Sequence, residues 1–138
     1  MDGQGLFPKT FAVLEKVLDF RLQQHNLIVS NIANMDTPCF QAVDLHFEDE
    51  LREALEGTKA GALRATQDRH FRVGRQGVKF VKPRVVLSPG LLLSNDLNTV
   101  DMDKEMGKMA KNNLMYNVTA QILGKKFAGM INAIKGGR

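Results

Sequence analysis

The chain has 138 residues, 43% of them apolar and 25% charged, with a formal net charge of +4, which is the make-up of one ordinary soluble domain and is too short for two. It contains no uninterrupted apolar stretch of the ~20 residues that a membrane span needs. The opening residues Met1-Asp2-Gly3-Gln4-Gly5 lack the basic and apolar regions of a secretory signal, and the single cysteine, Cys39, excludes an internal disulfide and leaves a thiolate metal site remote.

Charge is unevenly spread. Residues 1–56 carry 4 basic and 10 acidic side chains, residues 57–95 carry 8 and 1, and residues 96–138 carry 7 and 4. The ends and the middle are therefore different materials. From Phe7 to Ile32, the residues Phe11, Leu14, Leu18, Leu22, Val29 and Ile32 recur at steps that keep them on one face of a helix, with Lys16, Asp19 and Gln23 elsewhere. Pro8 suits the first turn. The helix should stop near Asn34, a residue that tolerates a left-handed cap, because Thr37 precedes Pro38 and is biased toward extended geometry.

Phe47 to Leu55 reads as a short helix. Beyond it Gly57, Gly61, Gly74, Gly77, Pro83, Pro89 and Gly90 break up any long helix. The apolar residues here fall in short runs: Phe71 with Val73, then Val78 to Val81, then Val85 to Leu87, with Gly74-Arg75-Gln76-Gly77 as a hairpin connection. The expectation is a small, β-rich and partly flexible insert.

The last segment, from about Asp101 to Ile134, is a second long helix. Steps of four and three give Met102, Met106, Met109, Asn113, Tyr116, Ala120, Leu123, Phe127, Met130 and Ile134, an average spacing of 3.5 residues that marks a coiled-coil seam. Asp101 can cap its start, Asp103 and Glu105 favour the dipole of its first turn, and Lys135, Gly136 and Gly137 close its end. Such a helix would be roughly 50 Å long at 1.5 Å per residue, longer than a compact domain of this size is wide. One chain alone cannot wrap it. The fold class is thus mainly α, with long N- and C-terminal helices packing as a coiled-coil-like hairpin around the insert. Residues 1–36 and 99–138 form the helical core and residues 37–98 the insert. The seam also admits a blander reading as the core of an internal hairpin, and its methionines suit either packing role.

Two segments resemble the bacterial flagellar rod, hook and hook-filament axial family. One is Ser30-Asn31-Ile32-Ala33-Asn34-Met35-Asp36-Thr37-Pro38, at the end of the first helix. The other is Asn98-Thr99-Val100-Asp101-Met102-Asp103-Lys104-Glu105-Met106, at the start of the last, followed by Asn113, Tyr116-Asn117 and Lys125-Lys126-Phe127. Short length, with Gln41 to Glu48, Thr66 and His70, is similar to the proximal rod proteins of the FlgB family. The resemblance implies a structural subunit of the basal-body rod whose terminal helices form the inner layer of a hollow drive shaft that transmits motor torque for motility. The implied partners are copies of itself, other rod proteins, the membrane-ring and adaptor proteins and, during secretion, the type III export apparatus. The implied place is the rod spanning the periplasmic space, reached from the cytoplasm without a cleaved signal peptide. Residues Leu14, Leu18, Leu22, Ile28, Ile32, Met106, Met109, Tyr116, Leu123, Phe127 and Met130 are the expected assembly interface. Cys39-Phe40 stands where the family pattern has Gly-Tyr, and Leu97 follows Asp96 where a glycine is usual, so either a positive φ is held without glycine or the turns change type.

Other chemistry is weakly signalled. Cys39 with His25 or His46 lacks the orienting group and oxyanion site of a nucleophile, so no enzyme is expected. His25 is expected near the helix seam, with Arg21 pairing an acid on a neighbour. The acidic run Asp44, Glu48, Asp49, Glu50, Glu53 and Glu56 lacks the tight glycine turn of a cation loop, and Gly74-x-x-Gly77 lacks the context of a nucleotide site, so neither metal nor cofactor is expected. The basic middle is the best case for an alternative function. Lys59, Arg64, Arg69, Arg72, Arg75, Lys79, Lys82 and Arg84, with Phe71 and Phe80 between them, could form a nucleic-acid-binding module, although the same charge complements the acidic first third.

Overall fold

The first helix, α1, runs Leu6–Ala33 and is apolar on two sides, a pattern that only makes sense once both of its neighbours are seen. We describe it in a computed structural model that covers residues 6–60, 78–88 and 97–136. One side of α1 carries Phe20 and Ile28, both buried, with Val13, Val17 and Leu27 partly buried beside them. Another side, about a third of the way round at 3.6 residues per turn, carries Phe11, Leu14, Leu18 and Ile32. Helix α1 ends where the Asn34 amide bonds back to the Ser30 carbonyl (3.2 Å) and the Asn34 side chain donates to the same oxygen at 2.8 Å. The left-handed step expected at Asn34 instead occurs at Cys39, with φ of 60°.

After the turn, strand β1 (Val43–His46) pairs antiparallel with strand β2 (Arg84–Leu87) in the register Val43 to Leu87 and His46 to Arg84. The β1 strand alternates as a half-covered strand should, sending Leu45 into the core and His46 out to solvent. Helix α2 (Glu48–Ala60) follows at once, with Glu48, Asp49 and Glu50 in its first turn where the helix dipole favours acids. It continues past Gly57, longer than the sequence pattern suggested. Phe20, Leu45, Phe47, Leu51 and Val81 form the buried cluster that joins α1 to this small unit, and the Phe20 and Phe47 rings meet at 5.2 Å.

Two expectations for the insert change. Val78–Phe80 is a 3-10 turn rather than a strand, tucking Val81 into the core, and the partner of Val85 to Leu87 is the segment just after α1. The strand pairing therefore reaches back across the chain instead of closing a local hairpin. Phe71, Val73 and the Gly74 to Gly77 connection lie outside the described residues.

Helix α3 spans Met102–Ile134, so it is roughly 50 Å long. Asp101 caps it in extended geometry, accepting from the Asp103 and Lys104 amides at 3.1 and 3.2 Å. Its far end closes through Lys135 and a left-handed Gly136, φ 79°, where glycine carries no Cβ to clash. Helices α1 and α3 pack along each other as a hairpin of terminal helices, with the small sheet and α2 against a second face of α1, where β1 also meets α3 through Asp44 and Lys108. Among the described residues, no helix is long and apolar enough to cross a membrane.

Candidate assembly site

The two terminal segments singled out in the sequence are brought together at one end of the helix pair. Asn98, buried, is the centre of this clasp. Its Nδ2 donates to the carbonyls of Asn34 (3.0 Å), Met35 (2.9 Å) and Thr37 (2.8 Å), and its Oδ1 accepts from the Val100 amide at 2.8 Å. With α1 ended these carbonyls have no i+4 partner; those of Asn34 and Thr37 accept turn bonds from the Thr37 and Phe40 amides (3.0 and 3.3 Å), and the Asn98 amide adds a donor that ties all three together. Thr99 adds two more ties, donating its amide to the Phe40 carbonyl (3.1 Å) and accepting the Ala42 amide on its Oγ1 at 2.9 Å. Thr37 Oγ1 donates to Asn34 Oδ1 at 3.2 Å, and Ser30, Ala33, Asp36 and Pro38 remain exposed around the turn. The two non-glycine residues with positive φ among the described residues, Cys39 at 60° and Leu97 at 57°, flank this clasp. The turns keep the geometry that glycine would supply, without glycine.

A second polar cluster lies one step along the helices. Asn31 is fully buried and acts as a short substitute for a neighbouring strand: its Oδ1 accepts the Val43 amide (3.1 Å) while its Nδ2 donates to the Val43 carbonyl (2.9 Å) and to Glu105 Oε2 (2.9 Å). Glu105, only 2% exposed, also accepts from Lys108 Nζ at 2.7 Å, and the same ammonium holds both oxygens of Asp44 at 2.7 and 2.9 Å. Burial disfavours the charge on Lys108, but the bonds to Asp44 and Glu105 together outweigh it and raise the ammonium above its ordinary 10.5. Asn112 continues the stripe one turn further, donating to the Arg21 carbonyl at 2.8 Å. Arg21 pairs with Glu48 of its own chain (3.2 Å), bonds Gln24 and stacks over the Phe47 ring, so the acid expected on a neighbour is supplied internally.

The expected interface residues divide between two environments. On α1, Ile28 is buried, Leu14, Leu18 and Ile32 are half-buried, and Leu22 is exposed. On α3, Met109 and Leu123 are half-buried, while Met106, Tyr116, Phe127 and Met130 are exposed, although the Phe127 ring still meets Phe11 at 4.8 Å. Glu105, Lys108 and Asn112, which hydropathy periodicity passes over, make the specific contacts. Their spacing of three and four residues was the available signal: a polar stripe at helical period beside an apolar one. The rest of α3 presents a long apolar surface. Leu114 is 61% exposed, Ile131 50% and Ile134 81%, with Met115, Val118 and Ile122 also exposed.

Comparison with known proteins decides what such a chain is. No family model matches it. The flagellar basal body rod protein FlgB of Cereibacter sphaeroides is 36% identical over 131 residues, covering 94% of this chain and 97% of that protein. The proteins of the same name from Aeromonas hydrophila (32% over 130 residues, 94% of this chain and 96% of that one) and Escherichia coli (32% over 129 residues, 89% and 91%) match almost as fully. The chain belongs to the FlgB family. Within this family frame, the clasp joins the two segments that carried the resemblance. The cationic surface considered as a nucleic-acid site gains nothing: Arg84 pairs with Glu50 at 2.8 Å, and Arg64, Arg69, Arg72 and Arg75 lie outside the described residues.

Proposed function

We propose that the chain is a structural subunit of the flagellar basal-body rod, with no catalytic role, in which residues 1–36 and 99–138 form an inner layer shared with neighbouring subunits and residues 37–98 face outward. The observation that carries this reading, beyond family membership, is the amount of apolar surface left on α3 by its own chain: Leu114, Val118, Ile122, Phe127, Ile131 and Ile134 are each more than two-fifths exposed. At 3.6 residues per turn Leu114, Val118 and Ile122 form a row along one face, with Phe127, Ile131 and Ile134 on a nearly opposite one, and exposed apolar surface of this extent is what an assembly interface presents. The clasp at Asn98 and the Asn31–Glu105 pair fix how the two helices leave the small sheet, so every copy offers that row in one geometry. Neighbours would be copies of the chain, other rod proteins and the ring or adaptor proteins at the rod's base, reached by type III export into the periplasmic space.

The test is genetic and structural together. Removing the gene is expected to abolish swimming and to leave basal bodies without a rod. An epitope-tagged copy supplied in trans is expected to restore both and to co-purify with isolated basal bodies. Swimming cells that lack the chain would overturn the proposal.

A further inference from the structure

Strand β2 has one neighbour in its sheet, β1, so one of its edges is open among the described residues. The register says which groups lie on it. Ser88 donates its amide to the Ala42 carbonyl at 2.8 Å, so hydrogen-bonded pairing with β1 falls at the alternate positions Ser88, Val86 and Arg84. The amides and carbonyls of Val85 and Leu87 therefore point away from β1. The far edge of the sheet is treated differently: Val43, opposite Leu87, has both of its backbone groups taken by Asn31. The chain closes that edge at Val43 with a side chain and leaves the β2 edge bare.

Apart from its short length, β2 lacks the usual protection of an edge. Natural edges are blunted by charges, bulges or proline; here the register is unbroken, Pro83 precedes the strand, and Arg84 is already paired with Glu50 at 2.8 Å. Val85 and Leu87 are each more than half exposed, although they share the face of the sheet that carries the buried Leu45. Outward backbone groups two residues apart are matched by another extended backbone, and apolar side chains at alternate positions on it would cover Val85 and Leu87. Two residues' worth of pairing is too little to hold a free peptide, and enough for a segment tethered beside it in an assembly. The occupant is not β2 of a second copy. Antiparallel pairing of β2 with itself requires a two-fold axis, which a rod grown by heterologous contacts lacks. Parallel pairing in register would set copies ~4.8 Å apart, less than the ~10 Å width of a helix.

We infer that the β2 edge accepts an extended segment of a neighbouring rod subunit, apolar at alternate positions, as a third strand hydrogen-bonded to Val85 and Leu87. The inference rests on the proposed rod role. It is tested with Val85→Pro, Val85→Ala and a photo-crosslinking amino acid at position 85, each in the full chain expressed in cells lacking the native gene. Proline removes the outward amide and spares the ladder to β1, so the thermal midpoint should stay within a few degrees while recovery in isolated basal bodies falls at least tenfold. Alanine keeps the amide and should hold recovery within about twofold of wild type; a loss equal to that of proline would mean that the side chain alone is read, and would overturn the backbone pairing. The crosslinker is expected to join a neighbouring subunit at a segment other than residues 84–87, identified by mass spectrometry. Folded Val85→Pro recovered like wild type would overturn the third strand. So would a crosslinker that, in basal bodies containing the chain, joins only its own chain, residues 84–87 of a second copy, or nothing, and this readout decides even where Val85→Pro fails to fold. Absence of the wild-type chain itself from basal bodies would instead overturn the rod role, which separates the two failures.

Discussion

Cys39 and Leu97 show how a turn can keep its shape after losing the residue best suited to it. Both sit near φ of +60°, where a Cβ crowds the backbone at a cost of about 1–2 kcal/mol. Thr99, Asn98 and their bonds hold the surrounding chain and oblige the strain. Substituting glycine should relieve more than it adds in unfolded-chain entropy, so Leu97→Gly and Cys39→Gly are each expected to stabilise the folded chain by about 0.5–1 kcal/mol, read by chemical denaturation. Alanine at either site keeps the Cβ and should give no such gain, which separates relief of strain from loss of the exposed side chain. Asp101 gives a pH signature at the same scale. The Lys104 backbone amide first, then the Lys104 ammonium, and the Asp103 amide hold its carboxyl below the ordinary 3.8. A depressed folded value means the stabilisation is present above 3.8 and lost as acidification passes through the folded value. Asp101→Asn keeps a capping oxygen but cannot titrate, so its stability should fall less steeply than wild type between about pH 4.5 and 2.

At the level of elements, the helices were readable from sequence and their mutual register was not. The extent of α3 and its Asp101 cap follow from local signals, namely periodicity, an acidic first turn and terminal glycines. The two faces of α1 were harder to see, because a 28-residue helix that packs against both a small sheet and another helix has no single apolar stripe. Phe20 and Ile28 serve one side and Leu14 and Leu18 the other, which leaves Leu22 and Val29 outside both. Strand β1 was missed since four residues, Val43–His46, with an acid and a histidine among them give almost no periodic signal, and its partner lies some forty positions later. The polar pair between Asn31 and Glu105 was invisible for a different reason: hydropathy ranks each as surface, and only their mutual hydrogen bond, with the Val43 backbone on one side and Lys108 on the other, makes burial tolerable. That pair is a register device, because sliding α3 by one turn would strand a buried carboxylate. Glu105→Ala is therefore expected to cost about 2–3 kcal/mol, less than a fully isolated buried pair because Lys108 keeps Asp44 and is a third exposed. Replacing both, Asn31→Leu with Glu105→Leu, should cost clearly less than the sum of the single changes in a double-mutant cycle, since neither partner is then left buried and alone.

For the whole molecule, the question is which residues hold the subunit together and which hold subunits to one another, and exposure divides them. Leu123 is half-buried on α3, a turn from the Phe127 ring that meets Phe11, so it belongs to the hairpin as well as to any assembly. Leu114 and Ile122, 61% and 43% exposed, contribute little to the lone chain. Carboxylates placed at the two kinds of position should therefore separate folding from assembly. Leu114→Asp and Ile122→Asp are expected to change unfolding free energy by no more than about 0.5 kcal/mol, as surface substitutions do, yet to abolish swimming and incorporation into basal bodies, because a buried unpaired charge at a subunit contact is not tolerated. Leu123→Asp should lower both stability and incorporation. Denaturation of the purified variants, set beside swimming-plate and basal-body assays of the same substitutions, reads the two effects independently. Motile cells carrying Leu114→Asp and Ile122→Asp together would mean that the exposed row on α3 faces solvent in the rod, and that the neighbouring subunits meet elsewhere.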